Sequence, residues 1–149
     1  MDTESLILGG VIGTFLGAII IGSLVFYVLT VIAGWKILTK AGESGWKSLI
    51  PIYNVYMFYK ISNCTNNFWL TVVLSLVSAI VSGIFGDDAL VSNIVTIITG
   101  IGIIYLGIVY CSKLSKAFGK GTGFTVGLIL LPNIFQLILG FGDSKYIGE

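Results

Sequence analysis

The sequence predicts an all-α membrane protein, a polytopic helix bundle of four transmembrane spans plus one interfacial or re-entrant helix. Three observations carry this reading. Hydrophobic residues make up 56% of the chain, and the mean hydropathy is +1.02. Only 10% of residues are charged, against about 25% in ordinary soluble domains. The apolar residues are also gathered into uncharged runs at 6–32, 68–85, 90–110 and 124–140, each near or above the length that spans a bilayer. A soluble fold of 149 residues could not hide so much apolar surface, whereas a bilayer removes the need to. The length allows one domain, 1–149.

The run 6–32 follows an acidic MDTES start, without the basic n-region of a signal peptide, and reads as an uncleaved transmembrane helix. Gly9, Gly13 and Gly17 recur every four residues and make a smooth face for close helix packing, either within the chain or in a homo-oligomer. Residues 33–40 extend this helix into the interface, with Trp35 and Lys36 as anchors. Gly42-Glu43-Ser44-Gly45 is a turn. The segment 46–60 is rich in aromatics, carries a Lys near each end, and has Pro51 and Asn54 inside. Its uncharged middle is too short to span, so an interfacial or re-entrant helix is expected. Residues 61–67 form a polar connector.

In the second span Ser75, Ser78 and Ser82, with Thr71, share one helical face. The acidic turn 86–89 makes the second and third spans antiparallel neighbours, and this hydroxyl stripe is expected to pack on the small-residue face of the third span around Asn93, Thr96 and Gly100. A water-lined path is the alternative. Residues 112–123 read as a second basic loop. The last run, 124–140, contains Pro132, Asn133 and Gln136 and is barely long enough to span, with a broken or re-entrant helix as the alternative.

The chain has no His and no Arg. It therefore lacks the usual neutral-pH base and metal ligand, and also the bidentate phosphate clamp. No cofactor, metal site or nucleic-acid partner is expected. Two cysteines, Cys64 and Cys111, make no CxxC or Cys/His cluster, and no disulfide is expected. GKGTG at 119–123 lacks the full phosphate-loop pattern.

Lysine placement sets the expected topology. Lys36, Lys40, Lys47 and Lys60 fall between spans one and two, and Lys113, Lys116 and Lys120 between spans three and four. Only Lys145 falls on the other side. A cell-membrane protein with cytoplasmic Lys-rich loops and both termini outside is the expected arrangement. The two basic loops also share a grammar: Lys-Ala, a Gly turn, Gly-aromatic, an apolar stretch, then Pro51 with Asn54 or Pro132 with Asn133. A weak internal repeat of a re-entry motif accounts for it.

The strings KAGESGWKSLIPIYN, SKAFGKGTGF and LGFGDSKY carry a resemblance. The chain resembles a family of small bacterial multi-span membrane proteins of unknown function, with characteristic strings KAGxxGWxxxIPIYN, K-[AS]-FGK-x-TGF and LGFGD-x-xY. The likeness runs over roughly residues 30–147. It departs in the middle, where Asn66-Asn67-Phe68-Trp69 replaces a PWWW string followed by Pro-Asn.

Some such sequences are labelled signal peptidase I. That enzyme needs a nucleophilic Ser and a Lys base held together in an extracytoplasmic domain. Here Ser112-Lys113 and Ser115-Lys116 are only sequence neighbours, and adjacency makes no dyad.

The expected function is non-enzymatic. A Lys-rich cytoplasmic face contacts anionic lipid or a partner protein through Trp35, Lys36, Lys40, Trp46, Lys47, Lys113, Lys116 and Lys120. The alternative is a small channel or transporter subunit using Pro51, Asn54, Pro132 and Asn133. Protection against a membrane-active peptide has only size in its favour.

Overall fold

A computed structural model describes residues 2–86 and 90–148. Its elements are α1 (Thr3–Lys40), a 3-10 segment (Gly45–Leu49), α2 (Pro51–Ile61), α3 (Thr65–Phe85), α4 (Leu90–Ala117), α5 (Thr122–Leu130) and α6 (Pro132–Phe141), with no strand among the described residues. Apart from Gly86, the acidic turn lies outside the described residues. Helices α1, α3 and α4 are long and apolar enough to cross a membrane. At about 1.5 Å per residue they measure roughly 57, 32 and 42 Å, against a hydrocarbon core of about 30 Å.

The run 124–140 takes the broken form that its sequence offered as the alternative to a single helix. Residues 124–140 do not form one helix. The run breaks at Leu131 (φ −134°, ψ 63°), and Pro132 takes the first turn of α6. A residue before proline is driven out of the helical region, and proline itself lacks the N–H that a continuous helix would use. The two pieces of 9 and 10 residues fold back on each other. The Phe124 and Phe135 rings meet edge-on at 5.1 Å, where a straight helix would hold them about 16 Å apart. Residues 45–61 make a shallower hairpin of the same kind. The 3-10 segment descends beside α1, Gly45 beneath the Trp35 ring and the Ser48 hydroxyl donating to the Val31 carbonyl at 3.3 Å. The chain then turns at Ile50, and α2 starts on Pro51.

Both long helices that feed the hairpins end alike. Gly42 (φ +79°) and Gly119 (φ +66°) take the left-handed conformation. Glu43 N–H then donates to Leu38 O, and Lys120 N–H to Ser115 O, each at 2.9 Å. This is the glycine C-cap that closes a helix and reverses the chain. The basic loop 112–123 is thereby shortened, because α4 runs on to Ala117. Leu114 and Ala117 are buried in the core, and that packing holds the extra turns helical. The connector 61–67 likewise shrinks to three residues, since α3 begins at Thr65.

One core joins the pieces: Ile37 and Leu38 of α1, Met57, Phe58 and Ile61 of α2, Leu114 and Ala117 of α4, Leu128 of α5 and Leu139 of α6. The descending arm of each hairpin packs on the helix that precedes it, and the returning arm reaches the other long helix, α6 lying on α1 and α2 on α4. Residues 143–148 finish at the same end. The Tyr146 hydroxyl donates to Ile61 O and the Ile147 N–H to Ala117 O, both at 2.8 Å. The C-terminal tail therefore lies with the Lys-rich loops, while α1 begins at the far end of the molecule. The expectation that both termini lie opposite the lysines is corrected for the C-terminus: a hairpin returns the chain to the end it entered from, where a span would not.

Between α3 and α4, the Leu74–Gly102 approach and the Ser78–Thr96 hydroxyl contact at 3.3 Å fix an antiparallel register. In α1, residues 3–29 are almost wholly exposed.

The tightest backbone approach between two helices among the described residues is Gly140 on α1, where a Cβ would lie 2.7 Å from Ala33 Cα. Gly140→Ala is expected to destabilise the protein in mild detergent by about 1–3 kcal/mol, because backbone must move. Gly100→Ala, with open space at its Cβ position, is expected to change stability by less than about 0.5 kcal/mol. Thermal denaturation of the two variants checks this.

Candidate functional site

All eight lysines gather at one end of the molecule. Lys36 and Lys40 close α1, Lys47 sits in the 3-10 segment and Lys60 in the last turn of α2. Lys113 and Lys116 are in the last turns of α4, Lys120 follows its cap, and Lys145 is in the tail. The sequence placed Lys145 opposite the rest, and the return of the tail brings it to them.

Their partners divide them. Glu43 accepts from Lys47 at 2.6 Å and from Lys60 at 2.8 Å. The hydrogen bonds from Lys47 and then Lys60 hold the Glu43 carboxyl below its ordinary range, and the bond to Glu43 holds Lys60 above its own. Lys40 is structural: its Nζ donates to Leu139 O at 2.8 Å and Gly142 O at 2.6 Å, capping α6 and fastening it to α1. Lys113 Nζ donates to Asn63 O at 3.3 Å. Lys36 lies 4.5 Å from the centre of the Phe141 ring and Lys120 lies 5.9 Å from that of Phe124, both cation–π contacts. Among the described residues Lys36, Lys116, Lys120 and Lys145 bond neither a carboxylate nor a carbonyl. They form the charged surface that remains available.

Trp35 is half-exposed over Gly45. Trp46 stacks on Tyr53, which stacks on Tyr56, and Phe68 and Trp69 continue this belt of rings onto α3.

The structure brings Ser75, Ser78 and Ser82 together with Asn93, Thr96 and Thr99 along one groove of about 550 Å³ between α3 and α4. Among the described residues only Ser78 and Thr96 bond across it, while Ser75 and Thr99 return their hydroxyls to carbonyls of their own helices. Gly9, Gly13 and Gly17 meet nothing: a Cβ at each would have no neighbour within 4 Å. The packing face they form is unmatched within the described chain.

Pro51 and Pro132 each start a returning arm. Asn54 and Asn133 are not brought to a common site. The Asn54 Oδ1 is buried against Gly34 with no hydrogen-bond partner, whereas Asn133 is exposed near the tip of the second hairpin. Ser115 is buried and donates to Gly121 O at 3.1 Å, with Lys116 exposed beside it. No group of three or more His, Cys, Asp or Glu side chains suited to a metal occurs among the described residues, and no disulfide joins Cys64 to Cys111. Sequence reasoning missed Glu43, Gly140 and Tyr146, although all three fall in the strings that carry the family resemblance.

The model of a family of unknown function (DUF5684) matches residues 46–149, and the chain belongs to that family. No curated protein and no solved structure matches it.

Lys40→Met leaves two helix-end carbonyls without their donor and is expected to cost about 1.5–3 kcal/mol, read as a lowered melting temperature in detergent. Glu43→Gln is expected to cost about 1 kcal/mol or less, since its pairs are at the surface. The Glu43 carboxyl is held lower in the folded than in the unfolded chain, so its contribution is present above the ordinary carboxylate pKa and is lost as pH falls through the depressed one. A melting-temperature series into acid should therefore fall more steeply for the natural protein than for Glu43→Gln.

Proposed function

We propose that this protein is a non-enzymatic integral membrane protein whose Lys-rich face engages anionic lipid headgroups of the cytoplasmic leaflet. The observation that carries the reading is the gathering of all eight lysines at one end, with Glu43 the one carboxylate that pairs with any of them among the described residues. In this reading α1, α3 and α4 span the bilayer, and the two hairpins dip into it from the cytoplasmic side. The amino terminus lies outside and the carboxyl-terminal tail inside. Lysines near an anionic surface contribute on the order of 1 kcal/mol each, so the four that bond neither a carboxylate nor a carbonyl among the described residues make a useful electrostatic anchor. The aromatic belt from Trp46 to Trp69 supports the reading, because such rings favour the headgroup boundary. Against peptidase chemistry, the Ser115 hydroxyl is committed to the Gly121 carbonyl rather than to a lysine.

The hydroxyl-lined groove between α3 and α4 favours a second reading, a small channel or transporter subunit. Against it, α3 has no ionisable residue and α4 has no charge before Lys113, and charges within spans commonly mark ion paths. Flux into proteoliposomes abolished by Ser78→Leu would favour this reading over the first.

The leading proposal predicts that phosphatidylglycerol raises the melting temperature of the detergent-solubilised protein more than phosphatidylcholine does. The difference should shrink in high salt and in the triple variant Lys36→Gln, Lys116→Gln, Lys120→Gln. Equal shifts from the two lipids would overturn the proposal.

A further inference from the structure

An apolar groove of about 580 Å³ runs along the outer side of α1 near its C-terminal end. Tyr27, Val28, Val31 and Ile32 line it from α1, and Leu49 of the 3-10 segment closes one side. Trp35 and Lys36 stand at its Lys-rich end and are shared with a second recess, lined by Thr39, Lys40, Gly140 and Gly142. The trough is therefore apolar along its length and cationic and polar at one mouth.

Its dimensions match one half of a bilayer. From Tyr27 to Lys36 the helix rises about 14 Å, close to the roughly 15 Å of one leaflet's hydrocarbon. The mouth is charged but not neutralised. Lys36 has no carboxylate partner among the described residues and is steadied over the Phe141 ring at 4.5 Å. Lys40 beside it spends two donors on the α6 carbonyls and keeps a third. Asp143 lines the neighbouring recess with Lys40, Ser144 and Lys145, so its charge acts on Lys40, while it is absent from the trough itself.

A similar apolar groove lined by Tyr53, Tyr56, Phe68 and Trp69 has no lysine in its lining, and both lysines of its hairpin, Lys47 and Lys60, already bond Glu43. Apolar length alone fits any lipid tail. An unneutralised cation at the headgroup end selects among headgroups.

We infer that this trough is a binding site for one anionic phospholipid, its acyl chain lying along Tyr27–Ile32 and its phosphate at Lys36 beside Thr39 and Lys40. The inference rests on the proposed anionic-lipid function and assigns it a place. The test uses the full-length protein in mild detergent with phosphatidylglycerol carrying a photoactivatable diazirine in its acyl chain. Native mass spectrometry counts bound lipid, and peptide mapping locates the cross-link.

The expected result is one retained lipid cross-linked within 27–35 or at Leu49. Retention should fall at least about fivefold in Val28→Trp, which fills the trough from an exposed position, and in Lys36→Gln. It should be little changed in Lys116→Gln with Lys120→Gln. Retention and cross-linking that survive both Val28→Trp and Lys36→Gln, while depending on Lys116 and Lys120, would overturn the site and leave the lipid-binding face standing. No preference for phosphatidylglycerol over phosphatidylcholine in the natural protein would overturn the face and the site together. A dimer lost in Val28→Trp, with no lipid bound, would assign the trough to a second copy and overturn the inference.

Discussion

The structure depends on how backbone polar groups are satisfied where the chain reverses among apolar side chains. A peptide group left unpaired in such surroundings is costly, and for that reason irregular backbone is rare there. This chain reverses twice, at Ile50 and at Leu131, and solves the problem the same way each time. The returning helix begins with a proline, which brings no N–H to satisfy. The carbonyl of the residue before the proline then accepts from the fourth residue on, Asn54 N–H to Ile50 O at 2.7 Å and Phe135 N–H to Leu131 O at 3.1 Å. Everything else about the architecture follows from reversing rather than passing through. Both returning arms come back to the end where they started, and the tail, the helix ends and the lysines are collected there.

That collection explains what the family-like strings are for. In the first, Lys40 caps α6, Gly42 turns the chain and Gly45 makes room for Trp35. In the second, Phe118 packs edge-on to Tyr146 and Gly119 repeats the glycine cap. In the tail string, Gly140 lets α6 touch α1, and Tyr146 caps α2. The strings specify joints. They bring three helix ends into mutual capping: α1 serves α6 through Lys40, and the tail serves α2 and α4. The functional surface is what remains of the lysines once those joints are made.

Much of this was legible in the sequence. The long runs pointed to α1, α3 and α4, because an uncharged, mainly apolar stretch of 18 or more residues has few other solutions. The count of spans was not legible, since hydropathy over 124–140 is continuous and only Pro132 signals the break. The position of the tail depends on that break, because a folded-back run returns residues 143–148 to the ends of α2 and α4. The end of α4 shifted by several residues where core packing of Leu114 and Ala117 outweighed local polarity. Among candidate site residues, the lysines were visible as charges, but their partners were not: nothing in the spacing of Glu43, Lys47 and Lys60 announces one shared carboxylate, nor that of Lys40 and Leu139 a bond spanning 99 positions. Asn54 and Asn133 look equivalent on paper, yet one faces α1 and the other faces outward.

The reversal of the chain at Leu131 is tested most directly by sidedness in sealed vesicles. In a background with Cys64 and Cys111 replaced by alanine, single cysteines at Ser5, Lys116 and Ser144 would be challenged with a membrane-impermeant maleimide. The account requires Lys116→Cys and Ser144→Cys to label from the same side, and Ser5→Cys from the opposite one. Labelling of Ser144→Cys together with Ser5→Cys, and apart from Lys116→Cys, would mean that residues 124–140 cross the membrane and would contradict it.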